Sequence, residues 1–508
     1  ALKSDDKSLR ELALNAIAND INFVPDWGQN RLRGMLESRP DWCISRQRSW
    51  GLPIPSFRQE NGDVFMTTAS IKAVGETFAT QGSDAWFKSS PVEILANYDV
   101  KSDPEAPEGL KIETLEKMYD IFDVWFESGS SWNAVLNERN LGYPADLYLE
   151  GSDQHRGWFH LSLLPSLGVN KISPFKTVLT HGFIVDKNGR KMSKSEGNAI
   201  NVEDLLKQYG AEVCRWWVST LAFENDIKVD MSFFKVASDS YRKIRNTLRF
   251  LLSNIFDLDV NEANAEKRMQ LLSQIDPTSI NSYCLKKLTD LQNDVKEAYS
   301  EFKFKTASTL IYDFCNDTLS SLYCVAVKDR LYCDAKNSKR RIETQYTLWQ
   351  TVDTLCHLLA PLLPHTADEV FQALYNNKNE SIHLKTGQNI AFETSNDWDK
   401  LLEIRSEVLK SLENSKEQGI ENTLDAGILI GKESNLLSAF QDDLADIFTV
   451  SRVTITEDAT ELSVTDLRNE PRCERSWKRD STVKERENGS VLSDRDYDAF
   501  QYSESIYK

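Results

Sequence analysis

What this chain lacks narrows it before any motif does. Its 508 residues contain no apolar run long enough to cross a bilayer and no cleavable leader pattern, so no membrane association is expected. The eight cysteines, at 43, 214, 284, 315, 324, 333, 356 and 473, form no dense paired framework. That argues against a disulfide scaffold and for a reducing, cytoplasmic setting. No histidine follows His383, so the C-terminal region offers a metal no imidazole. Positive charge is outnumbered, 60 Lys and Arg against 78 Asp and Glu, for a net −18. So acidic a chain binds phosphate backbones only through a local basic face. Arg242-Lys243-Ile244-Arg245-Asn246-Thr247-Leu248-Arg249 and Lys339-Arg340-Arg341 are the candidates, and both also read as solvated helix faces. An initiator Met is missing, and the chain enters directly into a helix-like pattern, so a fragment is expected.

What is present reads as globular, with 40% hydrophobic and 27% charged residues. The length allows roughly three domains at about 150 residues each. A helix is predicted over 8–20, an extended entry at 22–28 and a short helix over 29–37. The segment 51–100 reads as irregular, with an amphipathic piece near 84–97. A short apolar strand at 147–149 precedes a helix from 154 to 163, an order that suits an α/β nucleotide fold. From about 203 onward the apolar spacing is three and four, and helices are predicted at 202–221, 232–256, 278–300, 302–328, 340–376 and 398–417. Pro361 and Pro364 should break one of them. Ala426–Ile430 and 448–455 read as strands with a helix between them. The fold class is therefore α/β, then an all-α bundle, then a small α+β region. The expected domains are 1–200 with an insertion at 52–120, a linker at 201–235, a bundle at 236–418, a small region at 419–464 and a tail at 465–508.

Four segments could carry chemistry. Lys191-Met192-Ser193-Lys194-Ser195 follows an apolar hairpin at 177–185 and a polar turn, and its two lysines can clamp a mobile polyanion. In Tyr148-Leu149-Glu150-Gly151-Ser152-Asp153-Gln154-His155-Arg156-Gly157-Trp158-Phe159, the residues Glu150, Gln154 and Trp158 are spaced four apart. Gln154 and Trp158 should then share a helix face, with Glu150 just before it. A carboxylate and an amide at a strand-to-helix junction can orient an ammonium or a ribose hydroxyl, and helix amides favour phosphate. A capped helix with a core Trp reads equally from these residues. Asp123-Val124-Trp125-Phe126-Glu127-Ser128-Gly129 could wall an apolar pocket or be a buried strand ending in a turn. The Arg- and Trp-rich stretch holding Arg46, Arg48 and Trp50 could stack on a nucleic-acid end or pack at a domain edge.

The Lys191–Ser195 pentapeptide is similar to the second signature of class I aminoacyl-tRNA synthetases. With the other three segments in this order, and with Gly210-Ala211-Glu212-Val213-Cys214-Arg215-Trp216-Trp217-Val218, the chain resembles isoleucyl-tRNA synthetases of bacterial type. The resemblance implies activation of L-isoleucine by ATP with Mg²⁺, then transfer to tRNA(Ile), by a monomer. It gives Lys191 and Lys194 the catalytic role, and ATP contacts to both and to Ser193, Ser195, His181 and Gly182. It gives isoleucyl-adenylate contacts to Glu150, Gln154, Trp158, Trp125, Gly151 and Asp153, and the tRNA acceptor end to Arg46, Arg48 and Trp50. The bundle corresponds to an anticodon-binding domain.

Two departures stand out. The family's first signature, His-x-Gly-His, is absent, and the stretch fits a chain beginning after the editing insertion, expected to be inactive alone and not to edit. Relatives end in a zinc module of two Cys-x-x-Cys pairs. Here Cys473 keeps the first position, but Ser476, Ser493 and Asp496 stand at the others, so no zinc is expected and 465–508 is expected to be partly disordered. A non-catalytic tRNA-binding relative and a valine- or leucine-specific homologue are the alternatives.

Overall fold

The computed structural model describes residues 3–4, 7–39, 41–192, 197–261, 264–431, 433–456 and 461–507. Its contacts divide into two compact units, 1–184 with 223–227, and 185–222 with 228–508.

The first unit is built on a parallel sheet of three strands, in the order Asn22–Val24, Phe175–His181, Ala145–Gly151. Parallel neighbours need a crossover, and the helix Trp158–Asn170 supplies it between Ala145–Gly151 and Phe175–His181. The 177–185 stretch is thus not a hairpin. Its first part is the central strand, with Val178 and Leu179 buried, facing Tyr148 and Leu149 in register. Val178, Leu179 and Thr180 are consecutive and buried, so both faces of the strand are covered there, which is why it reads as an apolar run. The helices Leu9–Asn19 and Trp27–Ser38 fall where the apolar spacing places them, the first capped by Ser8 and Glu11. Ala13, Ile17, Leu32, Phe159 and Val178 form the core against this sheet.

The segment 51–100 is more ordered than its polar composition suggests. Thr68–Gln81 is a helix capped by Thr67 and Ser70, and Phe57–Arg58 pairs with Val64–Phe65 and Glu116–Lys117. A separate core of Phe57, Phe65, Trp86 and Ile94 explains this, since a few aromatics buried on one another suffice for a small subdomain.

In the second unit the helices Met231–Ser253, Ile280–Ser300, Lys339–Leu359, Pro364–Leu374 and Trp398–Ser415 form a bundle. Pro364 starts a new helix, as expected at a first helical position. The predicted 302–328 helix is present but interrupted by a π-helical stretch at Phe314–Tyr323. Lys339–Leu359 is buried nearly all round although it carries many threonines. Thr344, Thr347 and Thr351 each donate to the carbonyl four residues earlier at 2.8–2.9 Å, so buried hydroxyls cost no unpaired donor. Beyond the bundle, Ala426–Ile430 pairs with Arg452–Ile455 in parallel and Ser463–Asp466 in antiparallel.

The expected disorder of the tail does not hold for its described residues. Lys484–Glu485 pairs with Val491–Leu492, Asp494–Tyr507 is a helix, and Cys473, Val483 and Leu492 are buried together. Composition misses this because the apolar cluster is small and hydrogen bonds and ion pairs between polar residues complete the order.

Candidate active site

In an open parallel sheet, ligands bind beyond the carboxyl ends of the strands. Thr180 faces Glu150 and His181 faces Gly151, so the two strand ends bring Glu150 and His181 side by side. Glu150 Oε1 accepts from the Gly151 N–H at 3.0 Å and lies 3.8 Å from His181 Nε2. The Glu150 side chain is 49% exposed and that of His181 37%, so both can still meet a ligand. His181 Nδ1 lies 2.7 Å from the Gly182 carbonyl, which makes Nδ1 the protonated nitrogen and fixes the ring.

Two glycines shape this corner. A Cβ on Gly182 would lie 2.2 Å from the Asn225 carbonyl, and its N–H donates to Phe223 at 2.8 Å. Asp226 Oδ1 accepts the Phe183 N–H at 2.8 Å. The 223–226 loop is thus stitched to the strand end, a partner that sequence reading misses because it is more than forty residues away. A Cβ on Gly151 would meet Asp153 Oδ1 at 2.9 Å and the Phe183 ring at 3.3 Å.

The Glu150–Trp158 segment differs from its expected geometry. Gln154 and Trp158 do not share one helix. Ser152–His155 is a 3₁₀ turn, and the α-helix starts at Trp158. Gln154 Oε1 instead accepts the Trp158 N–H at 2.9 Å, capping that helix. The Trp158 ring stacks on Tyr148 at 4.2 Å, and its indole N–H donates to the Ser128 carbonyl at 3.0 Å. Asp153 is exposed beside Gln154. His155 is fully buried against Phe159 and Trp27, and burial lowers its pKa.

Val124–Gly129 is a helix rather than a strand, because Asp123 caps it. Trp125, 37% exposed, lies over Gly157, where a Cβ would sit 3.0 Å from its ring and 2.6 Å from Gln154 Oε1. Trp125, Gln154 and Trp158 therefore meet around one glycine. Asp123 also accepts from Trp42 Nε1 at 2.9 Å and Arg46 Nη2 at 2.6 Å, while Arg46 Nη1 donates to the Cys43 and Ser45 carbonyls. The Arg46 guanidinium is thus engaged inside the unit. Arg48 lines an open cleft with Arg58, Glu116 and Tyr119, and Trp50 is 91% exposed. Only these two of the three residues expected at a nucleic-acid end remain outward.

In the second unit, Lys191 is exposed at the end of a tight turn. Asp186 Oδ1 accepts the Asn188 and Arg190 N–H groups at 2.9 and 2.8 Å, and its Oδ2 accepts from Asn198 Nδ2 at 3.0 Å. Those bonds, that of Arg190 first, hold its carboxyl below the usual carboxylate range. Ser193, Lys194 and Ser195 lie outside the described residues.

A parallel βαβ core with exposed acidic and imidazole groups at its strand ends, joined to a helix bundle, is what comparison with known families then names. The family description "tRNA synthetases class I (I, L, M and V)" matches residues 4–230, and "Anticodon-binding domain of tRNA ligase" matches 281–430. The chain belongs to the class I aminoacyl-tRNA synthetases. Relatives that match it include isoleucine–tRNA ligases. That of Syntrophotalea carbinolica is 39% identical over 92% of this chain and 52% of its own length. That of Petrotoga mobilis is 39% identical over 93% and 52%, and that of Bacillus subtilis 40% over 89% and 49%. The chain spans about half the length of the curated relatives it matches. No described helix is long and apolar enough to cross a membrane.

Proposed function

We propose that this chain forms the C-terminal half of an isoleucine–tRNA ligase, taking part in activation of L-isoleucine by ATP and its transfer to tRNA(Ile). The observation that carries the reading is the pairing of Glu150 and His181 at the carboxyl ends of neighbouring parallel strands. Glu150, half exposed, is suited to hold the substrate ammonium. Trp125, packed over Gly157, walls the aliphatic side chain, with Trp158 as its support. His181 and Gly182 are suited to contact the adenosine and phosphates of the adenylate, with Gly151 and Asp153 at the neighbouring strand end. The reaction needs no protein nucleophile: the amino-acid carboxylate attacks the α-phosphorus and pyrophosphate leaves. Positioning and charge stabilisation supply the acceleration. Lys191 and Lys194, with Ser193 and Ser195, would neutralise the departing pyrophosphate; Mg²⁺ would accompany ATP. Arg48 and Trp50 are the outward residues suited to the tRNA acceptor end.

In this reading 1–200 is catalytic, 201–235 a linker, 236–418 the anticodon-binding bundle, 419–464 a small α+β region and 465–508 a tail resembling a zinc module. Activity requires the half of the relatives' length that this chain does not match, which would supply His-x-Gly-His. The test is ATP–pyrophosphate exchange by this chain joined to that half of a relative, with isoleucine, valine and leucine compared. Isoleucine-dependent exchange that falls sharply in Lys194→Ala, with tRNA binding intact, is expected. No exchange with any of the three would favour a non-catalytic tRNA-binding role. Preference for valine or leucine would reassign the substrate.

A further inference from the structure

The tail carries a four-position pattern, Cys473, Ser476, Ser493 and Asp496, with two residues inside each pair and sixteen between the pairs. Two Cys-x-x-Cys pairs about 15–20 residues apart are the spacing of a structural zinc site. The fold brings the four positions together, but around an oxygen. Asp496 Oδ2 accepts from Cys473 Sγ at 2.9 Å, Ser476 Oγ at 2.7 Å and Ser493 Oγ at 2.9 Å. Asp496 is 0% exposed, and Cys473 and Ser493 are buried. Its other oxygen, Oδ1, accepts from Arg495 Nη2 at 3.0 Å.

This donor set does not suit zinc. One thiol and one carboxylate are joined by two neutral alcohols, where structural zinc takes four Cys or His ligands. The spacing differs as well. Thiolates at about 2.3 Å from a zinc ion stand about 3.8 Å apart at tetrahedral angles, whereas here three donors converge on one oxygen at hydrogen-bond length. A carboxylate carries the lone pairs to accept them all.

The centre is also tied to the bundle. Arg495, which touches Asp496, forms two hydrogen bonds to Asp329 at 2.6 and 3.1 Å. Lys478, just past the first pair, donates to Asp446 at 2.9 Å, and Asp446 accepts from the buried Arg330 at 2.9 Å. The two turns are thus fixed to each other through Asp496 and to the helices through Arg495 and Lys478.

We propose that Asp496 takes the place of a central metal ion in this module, closing its two turns by three donated hydrogen bonds and one guanidinium, so that the tail folds without zinc. The full chain, expressed with added zinc, should contain less than about 0.1 zinc per molecule, and a chelator should leave its melting temperature unchanged. Asp496→Ala leaves two buried donors and the half-buried Ser476 hydroxyl without this acceptor and should speed amide exchange across 473–497 at least about tenfold, with exchange in Ile280–Ser300 unaltered. The triple variant Ser476→Cys, Ser493→Cys, Asp496→Cys should bind one zinc per chain, and a chelator should then release its tail. Stoichiometric zinc in the unsubstituted chain would overturn the proposal. So would exchange in Asp496→Ala equal to that of the parent. The metal measurement decides even where the variants fail to fold.

Discussion

The strand ends of the first unit and the tail of the second both gather polar residues, and they treat them differently. At the strand ends Glu150 and His181 stay partly exposed, each with one short local bond that orients it. In the tail Asp496 is fully buried, with both oxygens accepting from protein donors. Polar atoms already satisfied by the protein hold structure; oriented atoms left open to solvent are the ones that can hold a ligand. The same test separates Arg46, held by Asp123 and two carbonyls, from Arg48 and Trp50 nearby.

The largest effect should come from breaking the closed region. Arg330 is 1% exposed and donates to Asp443 and Asp446 at 2.8 and 2.9 Å. Arg330→Leu leaves buried carboxylates short of a cation and should cost about 3–5 kcal/mol, read by denaturant unfolding of the chain. A loss under about 1 kcal/mol would mean that Lys478 and Arg340, which also contact Asp446, and the Ser279 and Ile280 donors on Asp443 suffice without it.

Gly182→Ala should cost less, about 1–3 kcal/mol, because the added methyl meets backbone that can yield only by shifting the 223–226 loop. The same unfolding measurement checks it. An unchanged midpoint would show that the loop does not clamp the strand end.

A third effect appears only on acidification. Burial, aided by Arg39, lowers the pKa of His160 to about 4. Its folded value lies below the unfolded value of about 6.5, so the unfolded state binds the proton first. The stability of the neutral ring is complete above pH about 6.5 and is lost as the pH falls toward 4, by at most about 1.4 kcal/mol per pH unit. Melting temperatures between these limits should fall less steeply in His160→Gln than in the parent. Parallel curves would remove His160 as the cause.

Much of the fold was legible in sequence because it rests on local signals. Ser8 and Glu11 announce a helix start, Pro364 a helix restart, and the three-and-four spacing the bundle. The site was legible as a set of residues but not as a geometry. Glu150 and His181 meet only through parallel pairing of strands whose cores lie thirty residues apart, a contact that periodicity does not encode. Gln154 read as a member of a helix face, yet its amide oxygen takes the free N–H of Trp158 and ends the 3₁₀ turn instead. In the tail, the serines and the aspartate at 476, 493 and 496 read as an absence of order. Only the fold shows that Cys473, Ser476 and Ser493 converge on Asp496.

The most direct measurement for the strand-end reading is isoleucine-dependent ATP–pyrophosphate exchange by the chain joined to the half of a relative that it does not match, with Glu150 and with Glu150→Gln. Gln keeps the size and the bond to Gly151 but removes the charge that holds an ammonium. A loss of about 100-fold or more in kcat/KM for isoleucine, with an unaltered melting temperature, is expected. Exchange within about twofold of the parent would contradict a substrate-holding role for the strand ends.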